Sequence, residues 1–173
     1  MDIRLIPFRH NQFATARLLL HCGSLTAQQL HEPFEIGPGT IHETFLHIIE
    51  AMDRWADRLA DRDPGPRSPE GAQYTPDELL AMLDAAAAKL EQVARNILQD
   101  GREHEWMTFP RPGGGDPYRF HRASAMVHVT THGMHHRAQI MNMLRRLGAP
   151  YDMDGDTIEW ELYSGEYLSP PVT

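Results

Sequence analysis

The chain has 173 residues, a length that fits one domain over 1–173 and buries a core without external staples. Hydrophobic residues at 41% and charged residues at 23% are those of an ordinary soluble globular protein. The formal net charge of −8 speaks against nucleic acid or an anionic membrane surface as a partner, since both need a basic footprint that Arg137, Arg145 and Arg146 are too few to supply.

The start, MDIRLIPFRHNQ, lacks the basic-then-apolar order of a secretory signal, and no apolar run approaches the ~18 residues of a membrane span, so a cytoplasmic location is expected. Apolar residues at Ile6, Phe13, Leu18, Leu19 and Leu20 predict an amphipathic helix from about Ile3 to Cys22, stopped by Gly23. Cys22, the single cysteine, reads as a small buried hydrophobe. Ser24 or Thr26 can cap a short turn to about Leu30, and HEPFEIGPGT is then a connector broken by two prolines and two glycines.

Thr40 and Glu43 are spaced as a capping box, which predicts a helix to about Asp61. At about 100° per residue its apolar face gathers Ile41, Phe45, Ile48, Ile49, Met52, Trp55 and Leu59, with Phe45 and Trp55 read as core. DPGPRSPEGAQY is a loop. Thr75, Pro76 and Glu78 give the clearest start signal in the chain, for a helix to about Gln99 ended by Gly101. HEWMTFP and PYRFHRA flank PRPGGGD as a hairpin-like or irregular excursion. The last long helix is predicted from about Arg122 to Leu147, stopped by Gly148 and Pro150. A short helix near Asp156 to Tyr163 precedes an end that contains Ser-Pro-Pro. Four long helices with polar connectors predict an all-α fold, a four-helix bundle with a short insertion before its last long helix.

Eleven histidines are the unusual number. His10, His21, His31 and His104 are scattered, but HVTTHGMHH places His128, His132 and His136 four apart on one helical face, with His135 and Gln139 beside them. Two imidazoles one turn apart can share a metal ion. The zincin pattern needs a glutamate after the first histidine, whereas Val129 and Gly133 stand there, so that type of protease is disfavoured. A firm site needs a third ligand, and periodicity alone leaves His42, His47, Glu43 and Glu50 open. Met126, Met134, Met141 and Met143 read as adaptable packing.

GPGTIHETFLHIIEAMDRW together with HVTTHGMHHRAQIMNMLRRLGAP resembles the DinB/YfiT-like family of metalloenzymes. The resemblance implies a four-helix bundle with a three-histidine site for one divalent ion. One implied ligand is His47, followed by Ile48 and Ile49 and by Asp53, Arg54 and Trp55. The others are His132 and His136, the first and third histidines of a segment similar to H-x-x-H-H-R-G-Q. Ala138 departs from that pattern where glycine is common, and His128 has no assigned part in it. His128 and His135 are read as groups that steady a ligating imidazole or line a pocket, and Arg137 as a group that binds a substrate carboxylate or sits at a surface.

Three imidazoles leave a coordination position open, which suits catalysis better than a closed structural site. Zinc or nickel is expected, with manganese or iron also fitting such donors. Similar enzymes include transferases and isomerases that use low-molecular-weight thiols such as glutathione, mycothiol or bacillithiol, which makes a stress or detoxification transferase the leading expectation. Metal-dependent hydrolysis and a non-catalytic metal-binding stress protein are the alternatives. The resemblance also implies a homodimer, with a small molecule or thiol as the other partner.

Overall fold

Helix signals in the sequence translate closely into elements in the computed structural model, which describes residues 2–111, 113–152 and 155–164. The Ser-Pro-Pro end lies outside the described residues. A 3-10 turn over Ile3–Leu5 leads into α1 (Ile6–Cys22), which carries Pro7 in its first turn, where a missing N–H costs nothing. Thr26, not Ser24, caps the short α2 (Ala27–Leu30), in a reciprocal box with Gln29. At the start of α3 (Ile41–Leu59) Thr40 Oγ1 accepts from Glu43 N–H at 3.0 Å, which is the threonine half of the predicted box. α4 (Pro76–Gln99) starts on the full Thr75–Glu78 box. α5 (Arg122–Arg146) and α6 (Thr157–Ser164) complete six α-helices among the described residues.

The fold is mostly helical, with one small sheet. β1 (Trp106–Phe109) and β2 (Tyr118–His121) pair antiparallel, Trp106 opposite His121 and Phe109 opposite Tyr118, so the insertion before α5 is a hairpin. α3 lies against both α4 and α5, and α1 lies against the same two. Leu18, Phe45, Ile48, Leu83, Leu90 and Met143 fill the space between them and are fully buried. No helix is long and apolar enough to cross a membrane.

Two departures from the sequence reading have clear causes. The buried stripe of α1 runs through Phe8, Asn11, Ala14, Thr15, Leu18 and Leu19, which turns Leu20 outward to 58% exposure. Asn11 and Thr15 earn burial through hydrogen bonds to Arg137, a pairing that no single-helix periodicity reveals. Trp55 is half-buried and faces a cavity instead of lying inside the core. Of the methionines, Met126 and Met143 are buried, Met141 is half-buried and Met134 is exposed. Cys22 is buried as expected, and desolvation pushes its thiol up to about 12, so it stays protonated.

A polar clasp ties the hairpin to the helices. Arg122, the buried first residue of α5, donates to Glu105 at 3.0 Å, to both Asp61 oxygens at 2.8 Å and to the Leu59 carbonyl that ends α3. Asp61 itself is left-handed at φ 57°, a conformation that Asp and Asn tolerate better than most residues. Burial would raise the Asp61 pKa, but hydrogen bonds from Arg122 and Arg102 outweigh it and hold the carboxyl below its usual range. A depressed carboxylate stabilises the fold above its unfolded pKa of about 3.9, and that contribution is lost as pH falls through the folded value. Asp61→Asn keeps the backbone conformation and removes the charge. Urea denaturation is therefore expected to show the variant less stable at pH 7, with the gap closing below about pH 4 as wild-type Asp61 protonates.

Candidate metal centre

The seam between α3 and α5 brings three imidazoles to one point. His47 sits on the flank of the α3 stripe, beside buried Thr44 and Ile48, and is half-buried. On α5 the buried face includes Gly133, His136, Arg137 and Ile140, while His132 lies at its edge, half-buried. His132 Nε2 stands 3.0 Å from His47 Nε2 and 3.1 Å from His136 Nε2, and the three rings have centroids 4.4 to 4.9 Å apart.

This donor set fits a divalent ion. Two nitrogens bound to one ion at about 2.1 Å in tetrahedral geometry lie about 3.4 Å apart, a few tenths of an ångström beyond the separations seen here. Hydrogen bonding alone does not satisfy the cluster. His132 Nε2 holds one proton or one lone pair and can aim one good hydrogen bond, yet it faces two nitrogens. A cation between the three rings would engage every lone pair. Among the described residues these three histidines form a group that could hold a metal ion, with one ligand atom from each all within 4.8 Å.

Gln139, one turn beyond His136, determines which nitrogen is available. His136 Nδ1 lies 2.7 Å from Gln139 Oε1, an acceptor only, so the proton sits on Nδ1 and the Nε2 lone pair points into the cluster. The Gln139 amide nitrogen in turn donates to His135 Nε2 at 3.0 Å, which orients the amide. The connector between α2 and α3 closes over this group at Gly37, whose φ is +52° and where an added Cβ would sit 2.1 Å from Gln139 Oε1. Sequence reading placed Gln139 beside the histidines but gave it no part in the site. Its i+3 spacing from His136 is the signal that could have found it.

The electrostatics keep the imidazoles neutral. Burial lowers the His132 pKa to about 3, and the crowding of His136, His47, His128 and His135 around it further disfavours its charged form. Burial likewise lowers His47, with His136 and Arg67 adding to it and Glu50 opposing it. His136 is lowered by burial against the opposing pull of Gln139. Neutral imidazole is the form that binds metal.

The other residues singled out from sequence are placed elsewhere. His42 is buried and its Nε2 accepts the Tyr74 N–H at 3.0 Å. Glu50 accepts from Ser68 N–H at 2.7 Å, and Glu43 is exposed at the helix start. His128 is exposed, 5.6 Å ring to ring from His132 and 5.3 Å from Trp55. His135 is exposed and joins the triad only through Gln139 and its ring contact with His136. Arg137 is buried and donates to Asn11 Oδ1 at 2.5 Å and Thr15 Oγ1 at 3.1 Å, so its hydrogen bonds go to α1 and none to the triad. Burial brings its pKa down to about 10, which leaves it charged at neutral pH.

A mostly helical fold and three convergent histidines define a protein that could hold one divalent ion. The profile of the DinB family matches residues 6–164, and the chain belongs to that family. No curated protein matches the chain.

Gln139→Leu removes the acceptor that holds the His136 proton on Nδ1 while preserving helix propensity. Zinc titration against a competing chelator is expected to show affinity lowered about 10- to 100-fold, the usual cost of losing a group that orients a ligating histidine.

Proposed function

We propose that this chain is a metal-dependent transferase for a low-molecular-weight thiol, with His47, His132 and His136 holding zinc or nickel. In this reading α1, α3, α4 and α5 form a four-helix bundle, a single domain spans 1–173, and the working form is a cytoplasmic homodimer in stress or detoxification chemistry. Manganese or iron would suit the same donors. The observation that carries the reading is the convergence of three imidazole nitrogens with no fourth donor in the group among the described residues.

Three neutral ligands leave the ion's charge uncompensated and a coordination position free. When bound, the ion supplies the positive charge that lowers the pKa of a thiol or water brought beside it. What remains is done by the chain's own residues. Gln139 holds the His136 proton on Nδ1 and keeps Nε2 free, and His135 steadies the Gln139 amide. The helix seam covers the His136 side of the cluster, while half-buried His47 and His132 leave the other side reachable by a small molecule. Lowering the thiol pKa matters because the thiolate is the competent nucleophile. Closed structural zinc sites commonly use cysteine, and Cys22 is buried on α1 with its proton held.

Tag-free protein purified without added metal is expected to carry about one divalent ion per chain by mass spectrometry, and His132→Ala roughly a tenth of that or less. The loaded protein is expected to speed the consumption of glutathione, mycothiol or bacillithiol by an electrophile such as chlorodinitrobenzene, and His132→Ala to lose that rate. Turnover of esters without any thiol consumption would replace this reading with metal-dependent hydrolysis. Wild type that binds neither zinc, nickel nor manganese would remove the metalloenzyme reading altogether.

A further inference from the structure

A cavity of about 520 Å³ opens between the C-terminal half of α3, residues 61–64 and the hairpin. Its walls include Trp55, Arg58, Trp106, Phe109 and Phe120. Trp55 and Phe109 stack with ring centroids 5.7 Å apart and planes inclined by 21°. The Arg58 guanidinium carbon lies 5.3 Å from the Trp55 ring centre and 5.2 Å from that of Phe109. Arg58 is half-buried, and among the described residues its guanidinium has aromatic faces but no carboxylate or carbonyl partner.

The neighbouring charges are already committed. Asp61 is taken by Arg122 and Arg102, and Arg62 by Asp57 at 3.0 Å. Asp63 is the remaining acid of the lining, and it is exposed. Burial lowers the Arg58 pKa, with repulsion from Arg54 and Arg67 adding to it and Asp57 opposing it. Ring contacts lead from the cavity wall toward the metal centre: Trp55 meets His128 edge-on at 5.3 Å, and His128 meets His132 at 5.6 Å.

We propose that this cavity binds a planar aromatic carboxylate, its ring among Trp55, Phe109 and Phe120 and its carboxylate on Arg58. The volume suits a molecule of one or two rings. The aromatic walls offer stacking and edge contacts that an aliphatic chain would not use as well. A partly desolvated guanidinium without an acid of its own gains more from a carboxylate than one in open water. Binding in this cavity does not depend on the metal-centre reading.

The test is calorimetric titration of the full chain with 2-naphthoate and with its neutral amide, 2-naphthamide, before and after metal removal. Naphthoate is expected to bind at least tenfold more tightly than the amide, with and without metal. Arg58→Gln is expected to lose that preference while keeping wild-type metal content and helical circular dichroism. Phe109→Ala, on the hairpin, is expected to weaken both ligands. Equal binding of the two ligands to wild type would overturn the proposal, and so would naphthoate affinity unchanged in Arg58→Gln. Naphthoate binding that vanished with the metal or in His132→Ala would place the carboxylate on the triad and likewise overturn it. If Arg58→Gln failed to fold, the acid–amide contrast on wild type and the Phe109→Ala result would decide the matter. Wild type that bound neither zinc, nickel nor manganese yet bound naphthoate would sink the metal reading and leave the cavity assignment standing.

Discussion

Three imidazoles must face one another across the α3–α5 seam without being pulled apart by water or pushed apart by protons. Partial burial meets both conditions, because desolvation disfavours the charged form and His132 is held neutral down to about 3. The seam that provides this burial is apolar for most of its length, with Phe45, Ile48 and Met52 on α3 and Val129, Ile140 and Met143 on α5. The histidines sit at its margin, close enough to be desolvated and open enough to be reached.

Contacts at two places along α5 support the seam. Gly133 in mid-α5 costs about 1 kcal/mol of helix propensity relative to alanine. In return α1 approaches closely: a Cβ there would stand 2.1 Å from Asn11 Oδ1, the atom that accepts from Arg137. Arg137 thus locks α5 to α1 one residue beyond a member of the triad, and its buried charge is matched by three oxygens from Asn11 and Thr15. At the start of the helix Arg122 clamps the first turn of α5 to the end of α3 through Asp61 and the Leu59 carbonyl. The helix that carries two of the three imidazoles is therefore fixed at its start and in its middle by buried arginines.

The hairpin gains its place from the same clasp, since Arg122 also holds Glu105 beside β1. That contact positions Phe109 over Trp55 and forms the cavity next to His128. Site and cavity are consequently linked through the start of α5 and the end of α3, and disturbance of Asp61 would be felt at both.

Local signals in the sequence determined much of this. The Thr75–Glu78 box, Pro76 at a helix start and the 3.6-residue apolar rows place the long helices within about three residues, because capping and periodicity act within one or two turns. The four-residue spacing of His132 and His136 likewise determined that both face one way. Which residue on α3 completes the cluster was not decided by local pattern: His42 and His47 are equally good donors by type, and family resemblance alone favoured His47. Only the register between α3 and α5 separates them, sending His42 to Tyr74 and His47 to His132. The Gln139–Gly37 contact, the inward turn of Arg137 and the Arg58 cavity were equally beyond reach. Each depends on side chains from elements far apart in sequence, and such contacts exist only once the helices have docked.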